Sequence, residues 1–133
     1  MGGAVRQILH HRVSIHYSFL SNDSHAHDVL TAFMTKHGFQ VDQNYLLETA
    51  WRATFTHGQG RRTIGVNSEM DAVPGIGHAC GHNLIAIAGV AVACAIKEVL
   101  EKENIDGKVV LLGTPGKQSS SEQWALTHSA CVS

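Results

Sequence analysis

Asp71-Ala-Val-Pro-Gly-Ile-Gly-His-Ala-Cys-Gly-His-Asn83 is the stretch around which the rest of the chain is arranged. Ahead of it lies a β-branched segment, Thr63 to Val66, and behind it a long apolar segment beginning near Leu84. The order strand, loop, helix puts these thirteen residues at the carboxyl end of a strand, which is where α/β sheets bind ligands. One acid, two histidines and one cysteine in so short a loop point to a metal site.

Downstream of the loop, the spacing predicts a helix from about Leu84 to Asn104. Its first part is apolar nearly all round, with Ala86, Ala88, Gly89, Ala91, Ala93 and Ala95 among larger residues. Small side chains let a helix approach a sheet closely, and Cys94 reads as an inert core thiol. Asp106-Gly107 makes a turn, and Lys108 to Leu112 is a short apolar strand of the kind buried on both faces. Residues 62–112 therefore read as one βαβ crossover, expected to be right-handed.

Upstream, Trp51, Ala53 and Phe55 alternate with Arg52, Thr54 and Thr56, which predicts a half-buried strand over Ala50–His57 with Trp51 and Phe55 in the core. Gly58-Gln59-Gly60 then suggests an antiparallel hairpin joining it to residues 61–66. Phe39 to Val41 starts a short strand. Before it, Val29, Leu30, Phe33 and Met34 line one face of a helix over His25–His37, with Ser24 as N-cap and Gly38 just past the end. Residues 1–20 mix helical and strand spacing. The fold class is α/β, a partial three-layer mixed sheet with one βαβ crossover. The chain divides into 1–115, the N-terminal part of a catalytic domain, and 116–133, a divergent tail expected to be disordered.

Composition is ordinary for a globular domain, with 44% apolar and 16% charged residues. A net charge of −1 gives no electrostatic reason to expect nucleic acid. The longest apolar run, Leu84–Ile96, falls short of the roughly 18 residues of a membrane span, so no membrane partner is expected. Three cysteines and no apolar leader suggest free thiols in a reducing, cytoplasmic setting. Histidine is the outlier, at 10 residues. His10, His11, His16, His25, His27, His37, His57 and His128 share no ligand spacing, and most are expected at the surface.

Within the central loop, Cys80 and His82 are two apart, so in extended backbone they project to one side and reach one cation; His78 falls on the same side. Gly75, Gly77 and Gly81 permit a tight backbone, and Asp71 is placed to accept a hydrogen bond from a ligand histidine. Two other readings stand beside this one. The loop is a Gly-rich turn with an incidental thiol, or Cys80 is a nucleophile served by a histidine base.

Asn67-Ser-Glu-Met-Asp-Ala-Val-Pro-Gly-Ile-Gly-His-Ala-Cys-Gly-His-Asn-Leu84, together with Val109-Val-Leu-Leu-Gly-Thr-Pro115, resembles the signature of the aminoacylase–carboxypeptidase metallopeptidases, peptidase family M-20. The likeness is nearest their amidohydrolase and dipeptidase branch and runs from about Asp28 to Pro115. It implies a mixed sheet between helices, an inserted lid domain, and one or two zinc or manganese ions that activate water toward an amide carbonyl. It implies Cys80 and His82 as metal ligands, Asp71 as the acid that orients a ligand, and His78 as a motif residue outside the ligand set. It implies a small peptide or N-acyl amino acid as substrate.

The likeness then breaks. After Gly-Thr-Pro the family continues with a small residue and two glutamates, one the general base and one a ligand; here Lys117 and Gln118 stand in those places. The general base is thus expected to be absent, with Lys117 at its place. The family's usual N-terminal pattern is likewise not matched over Val13–Asp23. The change at Gly116 is expected to mark a truncation, an alternative exon or a misplaced gene end. The expected function is that of a metal-dependent amidohydrolase or dipeptidase, inactive as this chain. The alternative is a non-catalytic fragment that binds metal weakly or associates with a full-length family member. An uncovered strand edge would also favour self-association.

Overall fold

The computed structural model describes residues 22–72 and 78–115. Six elements follow in order: α1 (Asn22–Lys36), β1 (Gln40–Gln43), β2 (Trp51–His57), β3 (Thr63–Glu69), α2 (His82–Lys102) and β4 (Gly107–Thr114). The strands form one mixed sheet in the order β1-β2-β4-β3, with β1/β2 and β2/β4 antiparallel and β3/β4 parallel. The α/β class and the β3–α2–β4 crossover are as the sequence predicts.

The expected hairpin between residues 50–57 and 61–66 does not form. β4 lies between β2 and β3 and pairs with both along its length. The reason is the composition of β4. Val109 and Leu111 face one side of the sheet and Val110 and Leu112 the other, and all four are buried. A strand apolar on both faces gains most at the centre of a sheet, so the Gly58–Gly60 connector carries the chain past an empty place that β4 later fills. Gly58 and Gly60 hold φ of +60° and +62° in that connector. The only hairpin partner of β2 among the described residues is β1.

Both helices cover the same face. Trp51 and Ala53 of β2 and Val109 and Leu111 of β4 join Met34 of α1, Phe39, Met70, and Ala86, Val90 and Ala93 of α2 in one core. The described residues thus supply two layers of the expected three. Trp51 is fully buried and its Nε1 donates to Met70 Sδ at 3.3 Å. Phe55 packs at the edge of this core. Gly113, opposite Trp51 in the ladder, leaves the space that the indole fills.

α1 begins three residues before the predicted start, which puts Ser24 inside it. Asn22 and Asp23 are as able as Ser24 to open a helix, and sequence alone does not choose among three adjacent residues of this type. Its other end is as expected: Gly38 sits at φ +82°, with Phe39 N–H on Met34 O and Gly38 N–H on Thr35 O, a Schellman closure. His27, expected at the surface, is buried within α1 at 6% exposure.

α2 starts at His82, two residues earlier than predicted, behind Gly81 at φ +82°. Its buried side is Ala86, Gly89, Val90, Ala93 and Leu100, while Ile85, Val92 and Val99 are exposed on the other. Helix formation extends the apolar stretch beyond the 13-residue run. At 21 residues and a mean hydropathy of 1.9, α2 is long and apolar enough by length and composition to cross a membrane. Its packing on β3 and β4 accounts for the apolar inner side.

Residues 1–21, 73–77 and 116–133 lie outside the described residues. With them lie the readings placed on the N-terminal segment, on Gly75 and Gly77, on Lys117 and Gln118, and on the tail.

Candidate metal centre

β3 runs to Glu69, three residues past the predicted strand, and the ladder continues to Met70, whose N–H donates to Thr114 O at 3.0 Å. Alternation therefore governs residues 67–70. Ser68 and Met70 turn inward: Ser68 Oγ donates to Ala86 O at 3.0 Å, and Met70 is in the core. Asn67 and Glu69 are left on the opposite side, half-buried, and Asp71 follows them in sequence alternation.

His82, the first residue of α2, is brought against this acidic row. Its Nδ1 is 2.6 Å from Asp71 Oδ1, an ion-pair distance without the alignment of a hydrogen bond, and its Nε2 is 3.5 Å from Glu69 Oε2. Glu69, Asp71 and His82 are all half-buried and offer donor atoms within 4.8 Å of one another. Behind Glu69 stands Asn67, whose Nδ2 donates to Glu69 Oε1 at 3.3 Å. Thr114 Oγ1 of β4 donates in turn to Asn67 Oδ1 at 3.2 Å.

Of the residues singled out from sequence, Asp71 and His82 meet. Cys80 is exposed and belongs to no such group among the described residues. The extended backbone assumed for residues 80–82 is not what the chain adopts. Gly81 turns through the left-handed region and His82 is already helical, so the two side chains do not share a side. His78 lies beside the site in a small cleft with Leu30, Met70, Asn83, Ala86 and Ile87, and both its ring nitrogens are buried without a hydrogen-bond partner.

Glu69 is the site residue that sequence reasoning missed. The signal was present in the alternation of polar Asn67, Glu69 and Asp71 with Ser68 and Met70, once the strand is carried on to residue 69.

No protein-family profile matches the chain. Individual proteins do. Over 111 aligned residues it is 40% identical to the Xaa-Arg dipeptidase of Homo sapiens, an alignment that takes in 72% of this chain and 26% of that protein. The Xaa-Arg dipeptidase of Mus musculus is 38% identical over 104 residues, covering 70% of this chain and 24% of the relative. A p-aminobenzoyl-glutamate hydrolase from Escherichia coli (strain K12) is 33% identical over 110 residues, covering 69% and 22%. The chain is related to the M-20 amidohydrolases and dipeptidases. It spans about a quarter of the length of the curated relatives it matches.

M-20 dipeptidases are generally metal-dependent, and the donor geometry here fits a divalent cation. Two donors each about 2.1 Å from a tetrahedral ion stand roughly 3.4 Å apart. The 3.5 Å between His82 Nε2 and Glu69 Oε2 matches that separation and is too long for a hydrogen bond of ordinary strength. One imidazole with carboxylates is a donor set that zinc and manganese both accept. His82 and Glu69 would hold the ion, and Asp71, on the far ring nitrogen, would keep Nε2 free of its proton.

Proposed function

We propose that Glu69, Asp71 and His82 form part of the metal centre of an M-20-type amide hydrolase, whose substrates are dipeptides or N-acyl amino acids. The observation that carries this reading is the 3.5 Å approach of His82 Nε2 to Glu69 Oε2, with Asp71 at 2.6 Å on the opposite ring nitrogen. Bound there, a zinc or manganese ion would act as a Lewis acid toward an amide carbonyl and lower the pKa of water. The chain's own residues do the rest: Glu69 and His82 supply charge and a neutral nitrogen, and Asp71 holds the imidazole. Cys80 keeps a place as a further donor, being exposed and two residues from His82.

We infer further that this chain does not complete the centre. The resemblance puts a general base and a ligand glutamate where Lys117 and Gln118 stand. An ammonium repels a cation, and a neutral amide is a poor replacement for a carboxylate ligand. Loss of a general base alone lowers rates by about 10²–10⁴-fold. The chain is then a weak, exchangeable metal binder.

Zinc titration of the full chain by calorimetry, with dipeptide and N-acyl amino acid hydrolysis measured in parallel, tests both statements. Zinc should bind one site, be removed by chelators, and be lost in Glu69→Gln and His82→Ala, with no turnover. Absence of zinc binding would overturn the site. Metal-dependent cleavage would overturn the inactivity.

A further inference from the structure

Glu69 is held by a two-residue clamp that crosses from β4 to β3. In the parallel ladder Thr114 is registered with Glu69, and Asn67 with Leu112. Thr114 therefore reaches diagonally to Asn67, and Asn67 reaches along its own strand to Glu69. Thr114 is 2% exposed, and its hydroxyl donates at 3.2 Å to Asn67 Oδ1. That contact fixes the amide the only useful way round. With Oδ1 occupied by a hydroxyl donor, Nδ2 points at the carboxylate of Glu69, at 3.3 Å. A reversed amide would set a carbonyl oxygen against a carboxylate.

We propose that Asn67 and Thr114 are positioning residues for Glu69. They hold Oε1 so that Oε2 is presented toward His82, and they touch neither the ion nor the substrate. The proposal rests on Glu69 being a metal donor. Groups one step behind a ligand change metal affinity because they restrict its orientation before the metal arrives; removing such a partner typically costs about 10–100-fold. The tie also crosses the two parallel strands at their carboxyl ends. It makes the geometry of Glu69 depend on β4, a segment 45 residues later in the chain (114 − 69 = 45).

The test is zinc affinity of the full chain, by calorimetry, in Thr114→Val, Thr114→Ser, Asn67→Ala and Glu69→Gln, each paired with the thermal midpoint of the metal-free protein. Valine keeps the volume of threonine and removes the donor. Thr114→Val and Asn67→Ala should each weaken zinc binding about 10-fold or more. Thr114→Ser should bind as the unaltered chain does, because it keeps the hydroxyl. The metal-free midpoint of Thr114→Ser should also be unchanged. Unaltered affinity in Asn67→Ala and Thr114→Val, with binding lost in Glu69→Gln, would overturn the clamp while leaving the metal centre standing. No zinc binding by the unaltered chain would overturn both. Weakened binding in Thr114→Ser equal to that in Thr114→Val would show that packing, not the hydroxyl, is responsible, and would also overturn the clamp.

Discussion

His82 and the two described cysteines show how environment rather than residue type assigns roles. His82 has a carboxylate at each ring nitrogen, whereas His27, another buried histidine, pairs only with neighbouring Asp28 in its own helix. Cys80 is exposed at the turn before α2, and Cys94 is packed against the core. Burial pushes the Cys94 thiol up, with Lys97 nearby acting in the opposite direction and more weakly. Because the thiolate is the reactive form, a raised pKa and restricted access both slow modification. Iodoacetamide at mildly alkaline pH, followed by peptide mass spectrometry, should label Cys80 ahead of Cys94; labelling at equal rates would contradict the burial. Cys94 is neutral when protonated, so its raised pKa stabilises the fold below the ordinary thiol pKa. That contribution is lost as pH rises through the raised value, which places the loss on the alkaline side.

The pairing of α2 with β3 rests on one glycine. A Cβ at Gly89 would stand 2.6 Å from Asn67 O and 3.2 Å from Ser68 Cα, both backbone atoms that cannot rotate away. Its absence lets the helix lie close enough for Ser68 Oγ to reach Ala86 O. Gly89→Ala should destabilise the protein by about 1–3 kcal/mol, the usual cost of overpacking a filled site, even though alanine is the better helix former. Urea unfolding followed by circular dichroism measures it, and a midpoint at or above that of the unaltered chain would show that the helix has room to spare. Because the clash falls on Asn67, the same change should loosen the hold on Glu69.

Across the whole molecule, the sheet brings together segments far apart in the chain, and the site sits at their shared carboxyl end. β3 ends at Glu69, β4 at Thr114, and α2 begins at His82. A ligand spanning two of these elements binds the folded chain and not the unfolded one, so it stabilises the fold. Zinc at ten times its dissociation constant should add about 1.4 kcal/mol. Differential scanning fluorimetry with zinc and then with excess chelator should show a higher midpoint that falls back to its starting value. His82→Ala should abolish the shift, and a shift that persists in that variant would place the metal elsewhere.

Much of this was legible in the residues. The sequence by itself determined the crossover, because Lys108–Leu112 is too apolar to be an edge strand and the segment before it too long and apolar to be a loop. It determined the C-terminal closure of α1 through Gly38, and it marked Asp71 and His82 as partners. Only the tertiary structure decided which strand lies beside which. The turn after β2 looks the same locally whether β3 or β4 pairs with it, and only β4's need for cover on both faces separates the two arrangements. Only the structure separated Cys80 from His82, because the handedness of Gly81 sets their sides. Glu69 was visible as a letter and invisible as a site residue. Its place next to His82 comes from the strand continuing through residue 69, and that continuation depends on Thr114, a partner contributed by β4 across the sheet.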